Sequence, residues 1–119
     1  MSWQYSQSSG RLSLDGQTVG AGYSGTREGR NNPDAEALHD VGPVPRGKYS
    51  IGPAYDDPHK GPIVMRLAPN DGHDMHGRDG FLIHGDNQVH DASNGCIILA
   101  HDLREKIAAS KDRIIEIQR

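Results

Sequence analysis

Glycine and proline break this chain so often that no long helix can be written through it: 15 Gly and 7 Pro fall among 119 residues. Glycine loses the most backbone freedom on ordering and proline cannot donate to a ladder, so such a chain folds into turns and short strands. The apolar fraction is low, 34%, but it is clustered at residues 63–67, 81–83 and 97–99, which argues against disorder. A chain of this length buries roughly two thirds of the surface its unfolded form exposes. One domain over residues 1–119 is expected.

Alternation of apolar and polar residues at Trp3 and Tyr5, then at Leu12 and Leu14, with Asp15-Gly16 as a tight-turn signal before Val19, predicts an N-terminal antiparallel meander. Residues 20–42 turn to Gly, Ser, Asn and charged side chains and read as a long surface loop. A short helical turn at residues 35–38 is its only expected structure. Pro43 and Pro45, between Gly42 and Gly47, lead into a strand at residues 48–51. Ile63, Met65 and Leu67 share one face of another, which ends at Pro69-Asn70-Asp71-Gly72. The run Phe81-Leu82-Ile83 predicts a strand buried on both sides. The single real helix is expected over residues 102–110, with Leu103 and Ile107 on its buried face and Asp102 as a candidate cap. Residues 114–117 form the last strand, and the fold class is α+β, mostly β.

The formal net charge is -3 with both signs interspersed, so neither a nucleic-acid footprint nor a polybasic membrane patch is present. No segment approaches the roughly 18 consecutive apolar residues of a membrane span, and the N-terminus lacks the basic-then-apolar pattern of a cleaved signal. Synthesis in the cytoplasm without a signal peptide is the expectation, and a monomer is expected in the absence of a heptad pattern or an apolar stripe. Cys96 stands alone. It is either a buried apolar filler or a reactive thiol, and its neighbours decide which.

Those neighbours carry the chemistry. His84 leaves the apolar run 81–83, and Cys96 enters the run 97–99 after the turn Ser93-Asn94-Gly95. If the two strands are neighbours, the intervening loop returns the thiol to within reach of the imidazole, the arrangement an activated thiol needs. A free thiol is only a few per cent thiolate at neutral pH, and an adjacent imidazole raises that fraction. Gly95 permits a tight turn, and the N–H groups of Gly95 and Cys96 are candidates to hold an oxyanion.

The pattern Ile83-His84-Gly85 followed by Ser93-Asn94-Gly95-Cys96-Ile97 resembles the YkuD-type L,D-transpeptidases, whose signature is a histidine and then a Ser-x-Gly-Cys turn. The closer resemblance is to a compact branch, the type VI secretion L,D-transpeptidase-like effectors. It extends over residues 3–14, Gly22-Tyr23-Ser24-Gly25, Asn31-Asn32-Pro33, Gly42-Pro43-Val44-Pro45-Arg46-Gly47-Lys48-Tyr49 and residues 81–86.

The resemblance implies a β-sandwich, with Cys96 as nucleophile and His84 as base. It also implies a thioester formed at the amide between the L-centre of a diamino acid and the terminal D-alanine of a tetrapeptide stem in peptidoglycan. Water as acceptor makes an L,D-carboxypeptidase; a free D-amino acid makes an exchange enzyme. An effector of this kind implies a secretion apparatus, action in a target cell's periplasm and a cognate immunity protein. Three features depart from the housekeeping enzymes: a shorter loop between His84 and Cys96, Asn94 where His or Lys is common, and Ile98 where many carry Arg. Hydrolysis or exchange is therefore favoured over cross-linking.

Tyr23, Asn32 and Arg78 are candidate groove residues for a polar stem, Arg78 through a bidentate pair with a carboxylate. Asp86 either orients an active-site group or caps its loop, and Ser93 bonds either substrate or its own turn. Asn94 is counted with the substrate contacts. His90 is a rival base. His73, His76, His90 and His101 have metal-ligand chemistry, but Gly72 and Gly77 break the segment that would aim the first two, so no metal and no cofactor is expected. The rival functions are a papain-like peptidase, whose cysteine usually precedes its histidine, a metal-dependent hydrolase, a housekeeping cell-wall transpeptidase, and a non-enzymatic wall-binding module.

Overall fold

The computed structural model describes residues 2–70, 72–88 and 92–119. Three short strands open the chain, β1 (Trp3–Ser6), β2 (Arg11–Leu14) and β3 (Gln17–Ala21), paired antiparallel in sequence order. Leu14 pairs with Gln17, which leaves Asp15 and Gly16 as a two-residue loop with φ of 52° and 84°. Positive φ at both central residues matches the right-handed twist of the flanking strands, and Asp-Gly adopts it readily. The expected meander is present.

The region read as one loop, residues 20–42, also contains β4 (Tyr23–Ser24) and two 3-10 turns, Arg27–Gly29 and Pro33–Ala35. The second turn ends where the expected helical turn would begin, because Pro33 pre-sets its first residue and Asn32 caps it. Next come β5 (Gly47–Ile51), β6 (Tyr55–Asp57), β7 (Gly61–Pro69), β8 (Leu82–His84) and β9 (Ile97–Ile98). Helix α1 (His101–Ala109) and β10 (Ile114–Gln118) close the chain. The strand β6 went unread, since Tyr55-Asp56-Asp57 has no alternation to mark it.

The strands follow one path, β3-β2-β1-β10-β5-β7-β8-β9-β4, with β6 added along β7. The last strand lies between β1, to which it is parallel, and β5, to which it is antiparallel, so both chain ends are sewn into one sheet. At nine residues β7 is long enough to pair with β5 at one end and β8 at the other. The α+β, mostly β class is thus realised as a nearly closed sheet with, among the described residues, a single α-helix near the C-terminus. Trp3, Tyr5, Leu12, Tyr49, Met65 and Ile83 fill the interior, and Leu103 and Ile107 of α1 pack onto them.

Two local features set the position of the site. Gly22 crosses β9 so closely that a Cβ there would lie 1.9 Å from the Ile98 carbonyl oxygen, so only glycine lets the chain reach β4. The helix begins at His101 after Ala100, whose extended backbone (φ -62°, ψ 159°) forms the N-cap. Asp102 lies inside the first turn, where its charge suits the helix dipole, and no side chain caps the end.

Candidate active site

β8 and β9 run parallel with Ile83 opposite Ile97 and His84 opposite Ile98. Side chains alternate along a strand, so Ile83 and Ile97, both fully buried, face the core. Leu82, His84 and Ile98 stand on the other face, and Cys96 lies in the bend that immediately precedes β9. The two apolar runs are neighbours in the sheet, which brings the end of β8, at His84, beside the segment that Cys96 opens.

His84 is 2% exposed and lines a cavity of about 210 Å3 with Lys60, Asp86 and Ala92. Its Nδ1–H donates to the Gly85 carbonyl at 2.8 Å, which leaves Nε2 as the basic nitrogen. Nε2 is buried and has no hydrogen-bond partner among the described residues. Burial lowers the His84 pKa, opposed by the Gly85 carbonyl and reinforced by Lys60 and Arg104. The ring is therefore neutral at pH 7.

Cys96 is half-buried. Burial raises its thiol above the ordinary range, against the lowering effects of the Leu82 backbone N–H and of Lys60 and Arg78. Desolvation outweighs the nearby donors and cations. Thiol and imidazole both rest neutral, and no hydrogen bond joins them among the described residues. The rival base His90 lies outside the described residues.

The turn before Cys96 is tightly built. Ser93 is fully buried; its hydroxyl donates to the Cys96 carbonyl (2.6 Å) and accepts from the Gly25 N–H (2.8 Å) and the Gly95 N–H (3.0 Å). Ser93 is thus saturated by its own turn rather than a substrate contact, and the Gly95 N–H is turned to Ser93 instead of toward an oxyanion. Ser24 donates to the Gly95 carbonyl at 2.8 Å and accepts from the Val44 N–H at 2.9 Å. Gly95 has φ 132°, and a Cβ there would meet Arg78 Nη2 at 2.5 Å and Phe81 Cε1 at 2.7 Å.

Arg78, expected as a substrate clamp, is 6% exposed and donates to the carbonyls of Glu36 (2.6 Å), Pro43 (2.8 Å), Gly42 (2.9 Å) and Asn94 (3.3 Å). With both terminal nitrogens committed it ties the segment at Gly42 to the nucleophile's turn, and it adds a cation near the thiol. Asn32 is likewise occupied: it accepts from the Asp34 N–H and donates to the Glu28 carbonyl, so it shapes its loop. The exposed Asn94 lines a small cavity of about 100 Å3 beside Arg78.

Tyr23 and Asp86 lie together. The phenol donates to Asp86 Oδ1 at 2.6 Å and accepts from the Ala92 N–H at 3.0 Å, while the Arg30 guanidinium covers the ring at 3.7 Å. Burial, then Asp86, raises the Tyr23 pKa. This pair fastens β4 to the loop after His84, and Asp86 also receives the Asn87 N–H. Of the histidines considered for metal, His76 contacts Glu36 at 3.1 Å and His73 packs edge-on against Tyr49. Ser24 lies in the Gly22-Tyr23-Ser24-Gly25 element without a role of its own legible there, Lys60 carries no pattern in sequence, and Arg104, three before Ile107, shares the helix's buried face.

The fold defines the class: a mostly β chain with one described α-helix near the C-terminus, in which His84 ends one strand and Cys96 precedes its parallel neighbour. A family model described as the Tlde1 domain matches residues 18–117, and the chain belongs to that family, the type VI secretion effectors of L,D-transpeptidase-like type. No curated protein matches the chain.

Proposed function

We propose that the protein is a peptidoglycan-directed cysteine enzyme that cleaves the L,D-amide of tetrapeptide stems through a thioester on Cys96. His84 Nε2 carries this reading: it is a neutral, buried nitrogen without a partner among the described residues, at the end of the strand that pairs with the one Cys96 precedes. No hydrogen bond joins thiol and imidazole among the described residues, so the reaction requires the two side chains to turn toward each other. Substrate binding then brings the groups together.

In the reaction the Cys96 proton passes to Nε2 as sulfur attacks the carbonyl carbon, so charge develops only with substrate in place. The Cys96 N–H holds the oxyanion, since the Gly95 N–H serves Ser93. Collapse breaks the C–N bond, and the imidazolium returns its proton to the departing D-alanine amine. Water, or the amine of a free D-amino acid, then attacks the thioester with His84 again taking the proton. Hydrolysis shortens the stem; exchange replaces its last residue.

Family membership supports action as an antibacterial effector, delivered by a secretion apparatus to a target periplasm and neutralised in the producer by an immunity protein. The test is mass spectrometry of tetrapeptide muropeptides incubated with wild-type protein or Cys96→Ala, with and without D-methionine. Loss or replacement of the terminal D-alanine by wild type alone supports the mechanism. Unchanged muropeptides in every reaction would favour a wall-binding role.

A further inference from the structure

We infer that the cavity between β4, β9 and the start of α1 is an α-carboxylate pocket, with Arg104 as the group that receives the anion. The inference rests on the proposed function and names a specificity-determining residue for it. The cavity, about 520 Å3, is lined by Gly22, Tyr23, Asp86, Ala100, His101 and Arg104 among others.

Arg104 is 7% exposed. Its Nε donates to the Leu99 carbonyl at 3.1 Å, and its Nη1 donates to the carbonyls of Pro62 (2.5 Å) and Ile63 (3.5 Å). Among the described residues Nη2 has no hydrogen-bond partner, and no carboxylate pairs with the guanidinium. Nη2 lies against Gly85, the residue whose carbonyl orients His84, so close that a Cβ there would come within 2.8 Å of it. A cation this buried is normally paired, because taking it from water is costly. Burial lowers its pKa.

The second observation is the end of α1. Among the described residues this nine-residue helix starts without a side-chain cap, and its N-cap Ala100 and first residue His101 line the same cavity. The positive end of the helix dipole therefore meets a guanidinium that no carboxylate pairs among the described residues. Ile98 and Leu99 supply apolar wall for a small side chain. Asp86 faces the cavity too, with Oδ1 receiving the Tyr23 hydroxyl and the Asn87 N–H. A small ligand that carries a carboxylate fits with its anion at Arg104. Asp86 also lines the His84 cavity, so the two share a wall. A carboxylate at Arg104 sets the adjoining amide or amine toward the imidazole.

Two molecules carry this group: the stem, through its terminal D-alanine, and a free D-amino acid acceptor. The experiment compares D-alanine with D-alaninamide, and the tetrapeptide with its C-terminal amide, against full-length wild type and Arg104→Gln. Binding is read from the backbone amide resonances of residues 98–104, and turnover by mass spectrometry. On wild type, amidation should weaken saturable binding or kcat/KM by about tenfold or more, the scale of one charge-assisted hydrogen bond. In Arg104→Gln acid and amide forms should behave alike. Discrimination confined to D-alanine assigns the pocket to the acceptor, and discrimination confined to the tetrapeptide assigns it to the stem.

Equal binding and turnover of acid and amide forms by wild type would overturn the pocket. That comparison needs no variant, so it holds even if Arg104→Gln fails to fold. Failure of the proposed function looks different: wild type would bind carboxylates at residues 98–104 yet transform no stem.

Discussion

The protonation states at the site predict how Cys96 reacts with an alkylating reagent that brings no substrate contacts. Its thiol lies above the ordinary 9.0, and His84 lies below the ordinary 6.5, both chiefly through burial. At pH 7 a thiol with a pKa of 9.0 is about 1% thiolate, and a raised one less. A preformed thiolate–imidazolium pair would instead be almost fully ionised at pH 7, about a hundredfold more reactive thiolate at equal nucleophilicity. The assay is the rate of iodoacetamide modification of wild type and His84→Ala from pH 5 to 10, followed by intact mass. The account predicts one ionisation above pH 9, no plateau near neutrality, and little change in His84→Ala. A plateau between pH 5 and 7 that vanishes in His84→Ala would refute the neutral resting pair. The catalysed reaction should behave otherwise, with its acid limb below pH 6.5, where His84 takes up a proton, and an alkaline limb above 9.0.

The turn and its supports yield further expectations. Gly95→Ala places a β-carbon at φ 132° and within 2.7 Å of Arg78 and Phe81; strain of about 1–3 kcal/mol and overpacking of similar size should lower the urea midpoint clearly, and an unchanged midpoint would contradict the packing described. Ser93→Ala strands the Gly25 and Gly95 N–H groups and should cost on the order of 2–4 kcal/mol in denaturant unfolding. Glu36 is pushed up by burial but held down to about 2, from an ordinary 4.5, by Arg46, Gln7 and His76. Its contribution, about 3 kcal/mol, is present above pH 4.5 and lost as pH falls toward 2, so Glu36→Gln should flatten the acid limb of a stability–pH curve.

The legible part of the fold was set by apolar runs and turn chemistry. Phe81-Leu82-Ile83 and Ile97-Ile98 announce buried strands, and their ends place His84 and Cys96. Asp15-Gly16 announces the first hairpin because positive φ at two successive residues suits few other pairs. Arg78 misled for a physical reason. Flanked by Gly77 and Asp79-Gly80 it looks like a solvated loop residue, yet its partners are backbone carbonyls at Glu36, Gly42, Pro43 and Asn94, which leave no trace in residue type. Ser93 and Asn32 were ambiguous in the same way, since a hydroxyl or amide that serves its own turn has the same letter as one that meets a ligand. The thiol's raised pKa depends on burial depth, which spacing does not encode. Only Arg104 left a readable hint, its place three residues before Ile107 on the buried side of α1.

The central claim is a covalent stem on Cys96, and the most direct measurement is the intact mass of acid-quenched protein seconds after mixing with a tetrapeptide stem. The account predicts a wild-type adduct with the mass of the stem less D-alanine, mapped by proteolysis to the peptide containing Cys96 and lost on treatment with hydroxylamine. Turnover of the stem by Cys96→Ala, or by wild type with no such adduct under conditions where thioester hydrolysis is rate-limiting, would contradict it.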